Sequence, residues 1–166
     1  MTQLSKLTIQ NFRNYESAQL EFSEGLNLIV GDNAAGKTAL IEALWLMATG
    51  RSFRSQKSKH LIKQECDSTT LFCETHSSHN PTNSQKIGVQ KTLDNTVLRL
   101  NGETVKSHGP IARQLPIQLL TPESHKLLEE GPKARRQFMD WGCFHQSSKF
   151  MNPWRNYQKG LKQRNH

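Results

Sequence analysis

Leu26-Asn27-Leu28-Ile29-Val30-Gly31-Asp32-Asn33-Ala34-Ala35-Gly36-Lys37-Thr38-Ala39-Leu40-Ile41-Glu42-Ala43-Leu44-Trp45 decides the fold. Its first five residues, entered through Gly25, form a short apolar run of the kind buried in the middle of a sheet. Leu40, Ile41, Leu44, Trp45, Met47 and Ala48 recur at helical spacing, and Gly50 stands where such a helix would end. Between strand and helix, Gly31–Thr38 satisfies G-x-x-x-x-G-K-[ST], in the setting that gives this pattern its meaning. Glycine at 31 and 36 permits a tight turn that points successive N–H groups inward, and the helix N-terminus behind adds partial positive charge. In such a loop Lys37 offers a mobile cation to the β- and γ-phosphates of a nucleotide, and Thr38 offers a hydroxyl to Mg2+. The expectation is ATP with Mg2+, bound by Gly31, Asp32, Asn33, Ala34, Ala35, Gly36, Lys37 and Thr38.

Outward from the loop, apolar Leu7 and Ile9, then Ala18, Leu20 and Phe22, alternate with polar neighbours on either side of Arg13-Asn14, which predicts a two-stranded opening hairpin. Thr69–Thr75, Lys86–Thr92 and Thr96–Leu100 read as strands, with His76–Ser84 a polar loop between the first two. Asn101-Gly102 is a tight hairpin signal that returns the chain through Thr104–Lys106. Leu115–Leu120 reads as another buried strand. Thr121-Pro122-Glu123 has the cap, proline and acid of a helix start, and Gly131-Pro132 would close that short helix. Met151, Trp154, Tyr157, Gln158 and Leu161 fall on one face of a final amphipathic helix.

Composition narrows the class. The 166 residues suit one domain able to bury a core without staples. Cys66, Cys73 and Cys143 are widely spaced and form no C-x-x-C pair, so neither a disulfide framework nor a zinc ribbon is indicated, and a reducing cytoplasm fits. No stretch approaches the ~18–20 apolar residues of a membrane span, so no membrane partner is expected. The net charge of +8 is uneven: residues 1–50 hold three Lys/Arg against five Asp/Glu, whereas Arg51–Lys63 holds five basic residues and no acid. Lys133–His166 adds eight basic residues and only Asp140. Two basic clusters are either solvated surface or a polyanion interface, where lysine and arginine gain affinity by releasing condensed counterions. Hydrolysis would further need a carboxylate at the end of an apolar run. Phe138-Met139-Asp140 has only two apolar residues before its acid, so Asp140 reads as structural and the second half of a hydrolytic site is expected to be missing.

At this point the chain resembles RecF, a bacterial family of replication and repair ATPases related to SMC proteins and ABC ATPases. The resemblance rests on Leu7-Thr8-Ile9-Gln10-Asn11-Phe12-Arg13-Asn14, on the phosphate loop with Thr38–Ala43, and on Gly50-Arg51-Ser52-Phe53-Arg54-Ser55. It extends to Gln118-Leu119-Leu120-Thr121-Pro122-Glu123 and to Gly131–Gly142, leaving out only the middle around His76–Lys91. Ala34 departs from the glycine that many ABC ATPases place there. The resemblance implies an α/β P-loop NTPase of the ABC/SMC-like type with an antiparallel β-hairpin layer, incomplete on its C-terminal side. Residues 1–147 would be the N-terminal part of the ATPase domain and 148–166 the start of a truncated helical arm. The Walker B acids and the ABC-type signature would lie outside the chain, so this piece is expected to hydrolyse ATP negligibly although the full-length protein would be a slow DNA-dependent ATPase. Also implied are a cytoplasmic setting, an ATP-dependent homodimer, and binding to single-stranded or gapped duplex DNA. The partners would be RecR and RecO, with RecA loaded indirectly, in recombinational repair, fork recovery and SOS induction.

Single residues remain open. Arg13 either reaches nucleotide, as an arginine here does in related ATPases, or is a solvated turn residue. Arg51 and Arg54 match a basic loop that approaches DNA or phosphate in SMC-like proteins, against the reading of an ordinary basic surface. Gln118 is the candidate for a glutamine that senses the γ-phosphate through magnesium and water, or it is structural. Arg135 and Arg136 are adjacent on a helix and cannot both face one site. His76 and His79 lack a third ligand nearby, so zinc is not expected. The rivals are another SMC-like or overcoming-lysogenisation-type DNA ATPase, a small P-loop kinase, and a DNA- or RecR-binding module with an idle nucleotide site.

Overall fold

The computed structural model describes residues 2–55, 57–77, 80–125 and 131–164. They fall into two compact units, Met1–Ile117 and Gln118–His166.

The first unit is built on a six-stranded, wholly antiparallel sheet. Its strands are β1 (Thr2–Phe12), β2 (Tyr15–Glu21), β3 (Ser68–Ser77), β4 (Asn80–Thr92), β5 (Thr96–Leu100) and β6 (Glu103–Val105), in the spatial order β2-β1-β3-β4-β5-β6. The period-two pattern sets which face is buried: along β3, Thr69, Leu71, Cys73 and Thr75 point into the core while their neighbours are half-exposed. Register then lines up Ile9 with Leu71 and Leu71 with Val89, and Leu7 with Cys73 and Cys73 with Ile87. These rows meet α1 (Lys37–Thr49), whose Ala39, Leu40, Ala43, Leu46 and Met47 are buried against them. Truncating one of these large side chains, Leu71→Ala for example, should cost about 2–5 kcal/mol through lost transfer energy and the cavity left behind. The two buried threonines bring hydroxyls inside, and backbone carbonyls accept them: Gln10 from Thr69 at 2.8 Å, Gln114 from Thr75 at 3.5 Å. Gly50 ends α1 in the left-handed conformation (φ 77), and its N–H donates to the Leu46 carbonyl at 2.8 Å. A short α2 (Gly109–Gln114) follows β6 and buries Ile111 beside α1.

Three expectations are corrected. Leu26–Val30 is not a strand: Leu26, Leu28 and Val30 are 93%, 82% and 77% exposed. Apolar composition alone does not make a strand, and no described strand lies alongside to take the N–H and C=O groups of this run. The expected loop His76–Ser84 is largely strand, since β3 reaches Ser77 and β4 begins at Asn80. Leu115–Leu120 is irregular; Leu115 is buried as the residue that caps α2, and Leu120 is 81% exposed.

The second unit holds a 3-10 turn at Pro122–His125, then α3 (Pro132–Gln146) and α4 (Met151–Arg164). Gly131-Pro132 opens a helix, with proline in its first turn. Most of the short helix expected between Thr121 and Gly131 lies outside the described residues. Trp154 at the start of α4 donates its Nε1–H to Asp140 Oδ2 at 2.9 Å, which makes Asp140 a tie between the two helices. The expected helical arm, 148–166, lies within this unit. No helix among the described residues is long and apolar enough to cross a membrane.

Candidate functional site: the phosphate loop and its basic wall

The turn that enters α1 places the loop at the N-terminus of that helix. Gly36 is its cap, with φ 97, and Ala34 is left-handed as well at φ 66. For an L residue that conformation costs about 1–2 kcal/mol, so Ala34 holds a strained backbone at the position where glycine would be free of strain. The ring of Tyr15, the first residue of β2, packs on Gly36. Ala35 N–H closes a turn onto the Asp32 carbonyl at 3.2 Å. Lys37 folds back over the loop and donates from Nζ to the carbonyls of Gly31 (2.6 Å) and Asp32 (2.7 Å).

A second wall comes from further along the chain. Arg13 lies in the β1–β2 turn with φ 55, and its N–H donates to the Leu61 carbonyl at 2.9 Å. Lys63 N–H donates to the Asn11 carbonyl at 2.9 Å, and Phe12 bridges to Ile62. These bonds fix the segment after the 3-10 turn Ser58–His60 onto the hairpin. A cavity of about 1200 Å³ opens between that segment and the phosphate loop, and its lining includes Asn33–Thr38 together with Arg13, Arg54, Lys59 and Lys63. Five cations, counting Lys37, thus face one space beside a helix N-terminus. That arrangement can neutralise several phosphate charges at once.

The arginines are held by an acid that sequence reasoning passed over. Glu42 on α1 is fully buried. It accepts from Arg13 Nε at 2.9 Å and from an Arg13 terminal nitrogen at 2.5 Å, from Arg54 at 3.4 Å, and from the Ser52 hydroxyl. A signal was available: Glu42 lies among Ala39, Leu40, Ala43 and Leu46 on a helix, and a carboxylate in such company requires partners. Lys59 and Lys63, counted in a basic run, turn toward the cavity, and Lys63 also pairs with Glu16 at 3.2 Å.

The other expected residues separate. Thr38 lines the cavity, and its hydroxyl is a hard oxygen suited to Mg2+. Arg51 is exposed and has no ion pair among the described residues, whereas Arg54 faces Glu42. Gln118 is exposed and belongs to the second unit. His79 lies outside the described residues, and among those described no group of His, Cys, Asp and Glu is arranged to hold a metal. Cys73 is a core residue whose thiol burial pushes up to about 12, which makes it inert.

The AAA-domain family matches residues 6–140. The "DNA replication and repair protein RecF" of Hydrogenovibrio crunogenus is 55% identical over 169 residues, covering 100% of this chain and 45% of that protein. The protein of the same name from Shewanella pealeana is 47% identical over 163 residues, covering 98% of this chain and 44% of its own length. The chain thus spans a little under half the length of the curated relatives it matches. A solved structure of "the recombination mediator protein RecF-ATP in RecFOR pathway" superposes with a TM-score of 0.79 at 33% identity, over 99% of this chain and 44% of that one. A structure from work on "ATP-driven dimerization and DNA stimulated activation of SMC ATPases" superposes at 0.68, over 83% of this chain and 98% of the other. At 20% identity the latter shows the fold alone.

Proposed function

The chain belongs to the AAA-domain family, and from that premise we propose that it is the nucleotide-binding part of a RecF-like protein of DNA replication and repair. The observation that carries the reading is the cavity at the N-terminus of α1, where the phosphate loop faces Arg13, Arg54, Lys59 and Lys63. ATP is the ligand. The loop amides would take the inner phosphates, Lys37 would reach the β- and γ-phosphates, and Thr38 would offer its hydroxyl to Mg2+. Bound nucleotide acts as a switch: its phosphates complete contacts between two subunits, so binding shifts the population toward a closed homodimer. In that state the protein grips single-stranded or gapped DNA in the cytoplasm. RecR and RecO are its partners, RecA is loaded indirectly, and the outcome is recombinational repair and SOS induction. Residues 148–166 begin a helical arm. Hydrolysis needs groups beyond this chain, so the 166 residues alone turn over ATP negligibly.

Arg51 is the candidate for the DNA contact, being exposed and without an ion pair among the described residues directly after α1, while Arg54 belongs to the nucleotide wall. The natural full-length protein is the right object for the test. ATP should convert it from monomer to dimer in sedimentation and raise its affinity for gapped duplex. Arg51→Glu should weaken DNA binding and flatten the salt dependence by roughly 0.9 for each phosphate no longer neutralised, with nucleotide affinity unchanged. A protein that stays monomeric with ATP and binds DNA equally with and without it would refute the switch.

A further inference from the structure

We infer that Glu42 is a positioning residue for the nucleotide site: buried under the wall, it sets Arg13 and Arg54 so that the pocket distinguishes a triphosphate from a diphosphate. The inference rests on the reading of the cavity as an ATP site. A guanidinium has five N–H donors, and Glu42 occupies one on Nε and one on a terminal nitrogen of Arg13, fixing the plane of the group while leaving three donors free. Those donors sit on a residue that lines the cavity. The Arg13 backbone is left-handed at φ 55, unfavourable for an L residue, and it is tied both by its N–H to the Leu61 carbonyl and by the paired side chain.

Arg54 is secured differently. Its side chain is 48% exposed and meets Glu42 at a long 3.4 Å, so it can transfer to a better acceptor. Its backbone is fixed through Ser52, whose hydroxyl donates to Glu42 and accepts from Arg54 N–H at 2.8 Å and Ser55 N–H at 3.0 Å. One fully buried carboxylate therefore organises two cations from separate parts of the chain, one fixed and one free to move, on the wall facing the phosphate loop. The loop amides hold the phosphates common to both nucleotides, so the charge added by the third phosphate falls to Lys37 and to these guanidiniums.

Two simpler roles give opposite signs. If Glu42 acted only as a negative charge near the phosphates, its removal would tighten both nucleotides, since repulsion would be lost. If it served only folding, both would weaken together with the melting temperature. Calorimetric titration of the natural full-length protein with ATP and with ADP, each with Mg2+, separates these cases. Glu42→Gln should lower ATP affinity by about tenfold, the scale of one charge-assisted hydrogen bond, with ADP within about threefold of wild type. Ser52→Ala, which leaves the Arg13–Glu42 pair in place, should give the same ATP-selective loss to a smaller degree, and it decides the question if Glu42→Gln does not fold. Equal weakening of both nucleotides, tightening of both, or unchanged ATP affinity in Ser52→Ala would overturn the inference. If instead the wild type binds neither nucleotide, or Lys37→Ala binds both as well as wild type does, it is the ATP-site reading that fails.

Discussion

Tyr15 closes over Gly36 so tightly that a Cβ on the glycine would stand 2.8 Å from the phenolic oxygen and 2.9 Å from two ring carbons. The contact joins the opening hairpin to the phosphate loop. Gly36 also needs its left-handed backbone (φ 97), so Gly36→Ala meets two separate penalties. About 1–2 kcal/mol comes from the backbone and about 1–3 kcal/mol from overpacking. Only the second depends on Tyr15. A double-mutant cycle with Tyr15→Ala, followed by thermal or urea unfolding, should therefore show a coupling of about 1 kcal/mol or more. Strictly additive effects would mean that the ring does not bear on the loop.

Leu26, Leu28 and Val30 form the most exposed apolar run of the first unit, and they alternate as strand residues do. Such a run is a template for pairing with another chain. Leu28→Lys should leave the stability of the 166-residue chain within about 0.5 kcal/mol and reduce its concentration-dependent association in light scattering. A fall of several kcal/mol on this substitution would show that Leu28 is core.

That segment also marks the limit of what the sequence could disclose. The loop, α1 and its Gly50 terminus were legible because each follows from a local rule: a spacing of glycines, a helical period, a left-handed cap. The hairpin and the strands from β3 to β6 followed from period-two alternation and the Asn101-Gly102 turn. Leu26–Val30 and Leu115–Leu120 misled because apolar composition states a demand for burial without saying whether a partner is present. Of the basic wall, Arg13 and the Arg51–Lys63 run could be singled out, but not that they meet on one space. Lys59 and Lys63 reach the cavity only because Arg13 and Lys63 bond across to residues roughly fifty positions away, and no local pattern encodes that. Glu42 stood in plain view as a carboxylate amid apolar neighbours, but its partners come from both sides of the sequence.

His108 packs its ring against Gly50, where a Cβ would meet it at 2.6 Å. Burial pushes its pKa below the usual 6.5, and the charge of Lys91 adds to that, against a hydrogen bond with the Met47 backbone. The folded value therefore lies below the unfolded one. Above the unfolded value His108 is neutral in both states and its contribution is intact. As the pH falls through about 6.5 the unfolded chain binds the extra proton, and stability declines. His108→Gln should reduce the loss of melting temperature between about pH 7.5 and pH 5, and an unchanged loss would place the acid sensitivity elsewhere.

The ammonium of Lys37 donates to the Gly31 and Asp32 carbonyls within the very loop that would receive phosphate. It is not part of the buried core. The most direct test is an equilibrium ATP titration, with Mg2+, of wild type and Lys37→Ala, with their melting temperatures taken alongside. Lys37→Ala should match wild type in stability within about 0.5 kcal/mol and bind ATP about ten- to a hundredfold more weakly, the scale of one or two charge-assisted hydrogen bonds. An ATP affinity equal to that of wild type would contradict the reading of this loop as the phosphate site.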